Sequence, residues 1–313
     1  VRDCSGFALL NKAAGLSSFS ALNPVKQRIS PAKLGHSGTL DPFATGLLVG
    51  LAGSYSHLSS VFSGLSKCYT ATLNLGIETD TLDPEGQTVA RAAPPSRAAL
   101  EAVLPSFCGD IMQEPPAYSA LHVGGRRAYD LARSGQKPVL APRPVHIYEL
   151  RLLSFEASTQ QDASCASAKL FVRCSSGTYI RSLARDIGLA CASRASLSAL
   201  ERSSIGPFSL EEAVAPQDFD PERDLRLMTP ALAGELRLGA LSLPEALESS
   251  FDNGGNIDPA ALRSLAVLPQ PESQSSAARP ALSAVFGAQG QFRGLVEISG
   301  KKLCYRFVIR REP

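Results

Sequence analysis

An α+β chain is what these 313 residues predict, and three observations carry the reading. Two stretches, "KCYTATLNLG" and "AKLFVRCSS", alternate with period two and read as strands buried on one face. Segments of helical spacing, "RAALEAVLPSF" and "GTYIRSLARDIG", are interleaved with them. The tail "SAVFGAQGQFRGLVEISGKKLCYRFVIRR" breaks into three short alternating stretches joined by Gly-containing turns, a small β unit of its own. With 44% hydrophobic and 19% charged residues the chain has the ordinary composition of a soluble globular protein that can bury a proper core.

Taken in order, "SGFALLNKAAGLSSFSALNPVKQRI" predicts a short strand, a turn, and a helix begun at the Ser17-Ser18 pair. A glycine-rich loop follows, with Gly46 to Leu51 as its apolar continuation. The first clear strand runs through Tyr69, Ala71 and Leu73, and "IETDTLDPEGQT" is a polar turn region. "RAAPPS" is a loop before the 97–107 helix. "GGRRAYDLARSGQKPVLAPRPV" predicts a short helix with a proline-rich exit. Around it, from 122 to 151, six basic residues (Arg126, Arg127, Arg133, Lys137, Arg143, Arg151) face two acids (Asp130, Glu149). That local excess is either a solvated face or a phosphate-contacting surface, and the net charge of +2 for the whole chain does not decide between them. The second strand passes through Leu170, Val172 and Cys174. The next helix puts Ile180, Leu183, Ala184 and Ile187 on one face, with Gly188 as a stop. Beyond Pro216 the pattern weakens, and "FDNGGN" and "LPQPESQSSAARP" have loop composition, placing a domain boundary near residue 230.

Several chemistries are disfavoured. The seven cysteines show no C-x-x-C pair and an odd count, which speaks against both a disulfide framework and a zinc site and for reduced thiols in a cytoplasmic protein. "VRDCSGFALLNK" lacks the pattern of a signal peptide, and no run of about 18 apolar residues marks a membrane span. "GHSGT" carries Thr39 where a hydrolase nucleophile elbow needs glycine, although His36, His57, His122 and His146 leave a serine triad open as a second class. "TLDPEGQTVARA" lacks both end ligands of a calcium loop, and no phosphate-binding glycine motif occurs.

One stretch stands out. "GHSGTLDPFATGLLVGLAG", from Gly35 to Gly53, holds a single acid, Asp41, among glycines and apolar residues. Pro42 biases Asp41 away from helix. In an apolar loop a carboxylate must be paired or its pKa rises. An exposed turn residue or an N-cap needs neither; a nucleophile or base fixed on a glycine-framed loop needs a cation from elsewhere. Arg181 is a natural candidate, because it stands in the first turn of a helix, where the dipole disfavours a cation by up to ~1 kcal/mol and a nearby anion offsets the cost. Tyr69 and Tyr179, at strand edges, are core residues or platforms for an unstacked base.

Four blocks taken together, "GHSGTLDPFATGLL", "KCYTATLNLGIETDTLDPEG", "PPAYSALHVGGRRAYDLARSG" and "SSGTYIRSLARDIG", resemble the TruB family of tRNA pseudouridine synthases. They follow the family's order and intervals and, with "FALLNKAAGLSS", span roughly residues 6 to 210. The resemblance implies a pseudouridine synthase fold: a mixed, largely antiparallel sheet flanked by helices over residues 1–230, and a small C-terminal β-barrel (PUA-like) module over 231–313. It implies that the T-loop uridine of tRNA is detached from its ribose, turned, and rejoined through C5, with no cofactor and no metal. Asp41 then resembles the catalytic aspartate and Arg181 its salt-bridge partner. Tyr69 resembles the tyrosine that stacks on the target base and takes part in proton transfer, and Tyr179 lines the same pocket. Leu200 resembles a leucine packed on the base, His36 the histidine that fills the space left by the opened RNA loop, and Asp83 a supporting acid. On this reading the 122–151 segment is an arm clamping the T-arm of tRNA. The enzyme acts as a monomer, without guide RNA or protein partner and without contact to a membrane. Three departures from the family pattern are Ala13 where proline is usual, His122 where lysine is usual, and the poor match of 240–285 to a PUA module.

Overall fold

The computed structural model describes residues 4–119, 122–123, 126–127, 140–157, 166–266, 282–300 and 302–309. Its first strands are β1 (Gly6–Lys12), β2 (Leu34–Ser37), β3 (Thr45–Ala52), β4 (Lys67–Leu75), β5 (Ile77–Thr79), β6 (Thr88–Arg91) and β7 (Gly109–Gln113). After the short pair β8 (His122–Val123) and β9 (Arg126–Arg127) come β10 (Arg143–Glu156), β11 (Ala166–Cys174), β12 (Ala195–Ile205) and β13 (Phe208–Ser209). The last five are β14 (Gly239–Ser242), β15 (Arg263–Ala266), β16 (Leu282–Phe286), β17 (Phe292–Ser299) and β18 (Lys302–Val308).

A nine-stranded sheet has the order β1-β3-β12-β4-β11-β10-β7, with β2 added to β3 and β13 to β12. Only the short β12–β3 contact is parallel, so the sheet is mixed and largely antiparallel. At its centre, β4 alternates as its sequence requires: Lys67, Tyr69, Ala71, Leu73 and Leu75 are buried and the residues between them half-buried. The helix Ile180–Ala190 covers that buried face, turning Ile180, Leu183, Ala184 and Ile187 into a core shared with Leu73, Leu170 and Val172. Gly188 is not a stop. The helix runs on to Ala190, and a Cβ on Gly188 would lie 2.6 Å from the backbone nitrogen of Ala195, so glycine is there to let helix and β12 touch.

Gly46 to Leu51, expected as the continuation of a loop, lies within strand β3. Both faces of β3 are covered: Leu47, Val49 and Leu51 pack with Phe7 and Phe62, while Leu48 and Ala52 pack with Leu22, Val25 and Ile29. Double burial erases alternation and leaves a continuous apolar run. The helix expected from Ser17 onward is two pieces, Ser18–Ala21 and Asn23–Ile29, with Pro24 in the first turn of the second. Pro24 lacks the N–H that an uninterrupted helix would need at that position. The 77–88 stretch, expected as a polar turn, is part of the β5–β6 hairpin, which runs on to Arg91.

A second sheet has the order β15-β14-β16-β17-β18, with β14 parallel to β16, and is compatible with a PUA-like module. Its last three strands match the expected tail. β14 and β15 do not: they are four-residue strands in the region where the sequence pattern faded. Phe286, Phe292 and Leu295 of this sheet join Phe7 and Leu47 of the first, and Phe62 of the helix Ser59–Gly64, in one apolar cluster, and Tyr55 Oη accepts a hydrogen bond from the Met228 backbone at 2.8 Å. The short helix expected after Gly125, Arg133 and Lys137 of the basic segment, and the "LPQPESQSSAARP" loop lie outside the described residues. No helix among the described residues is long and apolar enough to cross a membrane.

Candidate active site

The loop between β2 and β3 carries Asp41, and three features fix its backbone. The buried Ser18 hydroxyl donates to Leu40 O at 3.0 Å and accepts from Leu40 N at 2.8 Å, so both main-chain groups of the preceding residue are held by one side chain. Lys12, fully buried at the end of β1, donates to Pro42 O (3.1 Å), Leu16 O (2.7 Å) and Ala13 O (2.9 Å). Burial pushes the Lys12 ammonium down to about 8, against the opposing pull of Asp41. Past the loop, Gly46 has φ +105°, and a Cβ there would lie 2.4 Å from Arg202 O, which leaves glycine as the residue that lets β3 meet β12.

Arg181 meets Asp41 as a fork. Its Nε lies 2.9 Å from Asp41 Oδ2, and its Nη2 donates to Asp41 Oδ1 at 3.1 Å. Nη2 also donates to Tyr118 O (2.9 Å), and Nη1 donates to Thr81 O (3.0 Å) and Asp83 Oδ2 (3.2 Å). Five contacts match the five N–H groups of a guanidinium, so the group is immobilised in one orientation. Asp83 is fixed in turn by Thr81 Oγ1 (2.5 Å) and Glu85 N (3.1 Å). The Arg181 side chain is 7% exposed and that of Asp83 5%, whereas that of Asp41 is 34% exposed. The guanidinium and one carboxylate are therefore sealed in, and the other carboxylate faces out. Two carboxylates share one cation. Burial, helped by the charge on Asp83 and opposed by Arg181, raises the Asp41 carboxyl above its ordinary value.

A cavity of about 470 Å³ opens over Asp41. Tyr69, Tyr179, Arg181 and Leu200 line it with Asp41, so five of the residues singled out in the sequence stand around one space. Tyr69 is buried on β4, and burial raises its phenol, which keeps the hydroxyl protonated at neutral pH. Tyr179 precedes the Ile180–Ala190 helix; buried Gln113 clamps its backbone, accepting from Tyr179 N at 2.8 Å and donating to Tyr179 O at 3.1 Å. Leu200 projects from β12 beside Ala71. His36 is not in the lining. It stands on β2 opposite Gly50, half-buried, and burial together with the charges of Arg202 and Lys26 lowers its pKa, so its ring is neutral.

Two lining residues were not foreseen. Lys67 and Arg202 are 6% and 1% exposed, buried cations on β4 and β12. A signal for Lys67 existed: strict alternation in 67–75 puts it on the apolar face with Tyr69. Among the described residues no group of three or more His, Cys, Asp or Glu is placed to hold a metal ion. Of the basic segment, Arg151 donates to Glu149 at 2.6 Å and stacks over Phe171, so it is held on the sheet rather than extended as a free cation.

The fold and site define a class. The chain superposes on an H/ACA ribonucleoprotein bound to a substrate RNA containing 2′-deoxyuridine with TM-score 0.68 at 18% identity, over 98% of this chain and 86% of that one. An archaeal box H/ACA Nop10–Cbf5 complex gives TM-score 0.68, also at 18% identity, over 98% and 87%. These likenesses are of fold, which is that of the pseudouridine synthases. A family model described as TruB family pseudouridylate synthase (N terminal domain) matches residues 26–180. Proteins named tRNA pseudouridine synthase B are similar in sequence: that of Bordetella pertussis is 45% identical over 240 residues, covering 75% of this chain and 95% of the relative. That of Treponema pallidum is 44% identical over 218 residues, 64% of this chain and 60% of the relative, so the chain spans less than two thirds of that protein. This chain belongs to the TruB family.

Proposed function

We propose that the chain is a tRNA pseudouridine synthase that isomerises the T-loop uridine. The observation that carries the reading is the Asp41 carboxylate, gripped through both oxygens by a sealed guanidinium and presented to an open cavity beside Tyr69. A buried ion pair of this kind orients its carboxylate more than it stabilises the fold. Asp41 acts on C1′ of the target nucleotide, either attacking it or supporting the positive charge that develops there. Tyr69 stacks on the base, and its protonated phenol is the group available for proton transfer. Tyr179 and Leu200 hold the base from the sides. His36, neutral and outside the cavity, occupies the space beside it. The uridine must leave its stack to enter, which costs a few kcal/mol and favours a loop nucleotide over a paired one.

In this reading residues 1–230 form the catalytic domain and 231–313 a PUA-like module, and the 122–151 segment contacts phosphates of the T-arm. The enzyme works as a cytoplasmic monomer without guide RNA or protein partner. The names of the bacterial relatives support tRNA as substrate.

The test is tritium release from a tRNA transcript labelled at uridine C5, with wild type and Asp41→Asn compared in the presence of EDTA. Release by wild type alone, equal to one uridine per tRNA, is the expected result. Release by both proteins overturns the role of Asp41. Release by neither, with tRNA still bound, turns the reading toward a non-catalytic RNA binder.

A further inference from the structure

Two sets of charged groups border the Asp41 cavity. Asp41 and Arg181 line it, with Asp83 behind them, and these three sum to a single negative charge. Lys67 and Arg202 also line it, and neither has a carboxylate within ion-pair distance among the described residues. Their hydrogen bonds go to neutral carbonyls: Arg202 Nε to Leu47 O and Nη2 to Gly38 O, both 2.8 Å, and Lys67 Nζ to Ser63 O (2.5 Å) and Leu65 O (2.6 Å). Tyr69 is paired across the strands with Arg202 and is hydrogen-bonded to its side chain, again a neutral partner. A cation taken out of water without a counter-charge costs several kcal/mol, and carbonyls repay only part of it. Two such cations facing one cavity make a site for negative charge.

We propose that Arg202, with Lys67 as its neighbour, is a catalytic group that takes up the negative charge of the detached uracil. This rests on the pseudouridine synthase reading of the same cavity. When C1′–N1 breaks, its electron pair leaves with the base and spreads over N1, O2 and O4. C1′, left electron-poor, is met by the Asp41 carboxylate. When C5 bonds to C1′ the pair returns to that new bond and the charge on the base disappears. The C5 proton then leaves to water, its pair restores the C5–C6 double bond, and N1 takes up a proton, so the product is an isomer of the substrate. No external reactant enters. In this reading the Asp41 carboxylate serves the sugar, and the two cations that share its cavity serve the base. Such fixed groups stabilise the separated state without having to reorganise when it forms.

The experiment measures single-turnover tritium release and tRNA affinity for wild type, Arg202→Gln, Arg202→Lys and Lys67→Gln. The same enzymes are then tested on an RNA carrying 5-fluorouridine at the target, where detachment is scored by the altered nucleoside after digestion. Fluorine stabilises the uracil anion, so that base leaves with less help. Arg202→Gln is expected to lower the rate on uridine by about 10²–10³ while leaving affinity within about threefold. On the fluorinated RNA its defect shrinks to about tenfold or less, and Arg202→Lys restores part of the rate on uridine. Equal defects on both RNAs would mean that Arg202 only shapes the Gly38 and Leu47 backbone, and the proposal falls. An unchanged rate overturns it as well. If Arg202→Gln does not fold, Lys67→Gln carries the same comparison: a larger defect on uridine than on 5-fluorouridine supports the proposal, and equal defects reject it. Wild type that binds tRNA and releases no tritium would instead remove the underlying reading, a result distinct from any pattern among the variants.

Discussion

Ser18→Ala isolates the support of the Asp41 loop from its chemistry. The Ser18 hydroxyl is 2% exposed and makes two hydrogen bonds, one to each backbone group of Leu40. Truncation removes both and leaves a peptide N–H and a carbonyl without partners. An unsatisfied buried polar group costs about 1–3 kcal/mol, so two would cost about 2–6 kcal/mol if the loop stayed closed. The loop borders an open cavity, however, and water can reach a loosened segment, which places the expected loss near the low end, about 2–3 kcal/mol. Urea unfolding measures that term. The second consequence is kinetic. With Leu40 released, Asp41 loses the support before it and keeps the Arg181 fork and the Lys12 bond to Pro42 O after it, and a displacement near 1 Å from the productive position costs about 10²-fold. Single-turnover tritium release should therefore fall by about that factor, with tRNA affinity unchanged because no RNA-facing group has been removed. Loss of stability with a wild-type rate would show that the Arg181 fork and the Lys12 bond suffice to place Asp41, and the argument from Ser18 would be wrong.

Arg181→Lys keeps the charge and loses the fork. Release of tritium should drop by more than about 100-fold, because one ammonium cannot serve Asp41, Asp83 and two carbonyls at once. Gly46→Ala places a Cβ against Arg202 O in a backbone conformation that alanine resists, and is expected to lower the urea midpoint by the equivalent of roughly 2–4 kcal/mol or to prevent folding. The raised Asp41 carboxyl has two pH consequences. Activity, which needs the carboxylate, should decline on acidification at a higher pH than an ordinary aspartate would set. Because the folded pKa lies above the unfolded one, the contribution of Asp41 to stability is fully present at low pH and is lost as pH rises through the folded value. Asp41→Asn should therefore unfold at a higher urea concentration than wild type at neutral pH, since Asp83 still neutralises Arg181, and the gap should close near the unfolded aspartate pKa. A lower midpoint for Asp41→Asn at neutral pH would contradict this.

What could be read from the chain follows its burial geometry. Strands buried on one face, β4 and β11, announce themselves by alternation, and the Ile180–Ala190 helix by its apolar stripe. β3 is buried on both faces and so imitates an apolar loop continuation. β14 and β15 are too short for any period to register; their pairing comes from β16, which lies far along the chain. Within the site, Asp41 was visible because it is the lone charge in an apolar stretch, and Arg181 because a cation at a helix start needs an anion. Arg202 was not visible. "SALERSSIG" contains Glu201 and Arg202 side by side, and only the register against β4, with its irregularity after Arg202, shows that Arg202 points inward beside Tyr69 while Glu201 is exposed.

The order of the central strands also governs how the protein is made. β4 leaves the ribosome early, but its two neighbours, β11 and β12, begin about 90 and 120 residues later. At roughly 5–20 residues per second the apolar side of β4 waits on the order of ten seconds before either partner is available. β1 meets its partner β3 within a few tens of residues, so Tyr69 and its strand wait far longer than β1 and stay open to mispairing with another polypeptide. Synthesis rate and chaperone supply, rather than equilibrium stability, are expected to set the yield of this protein in a cell.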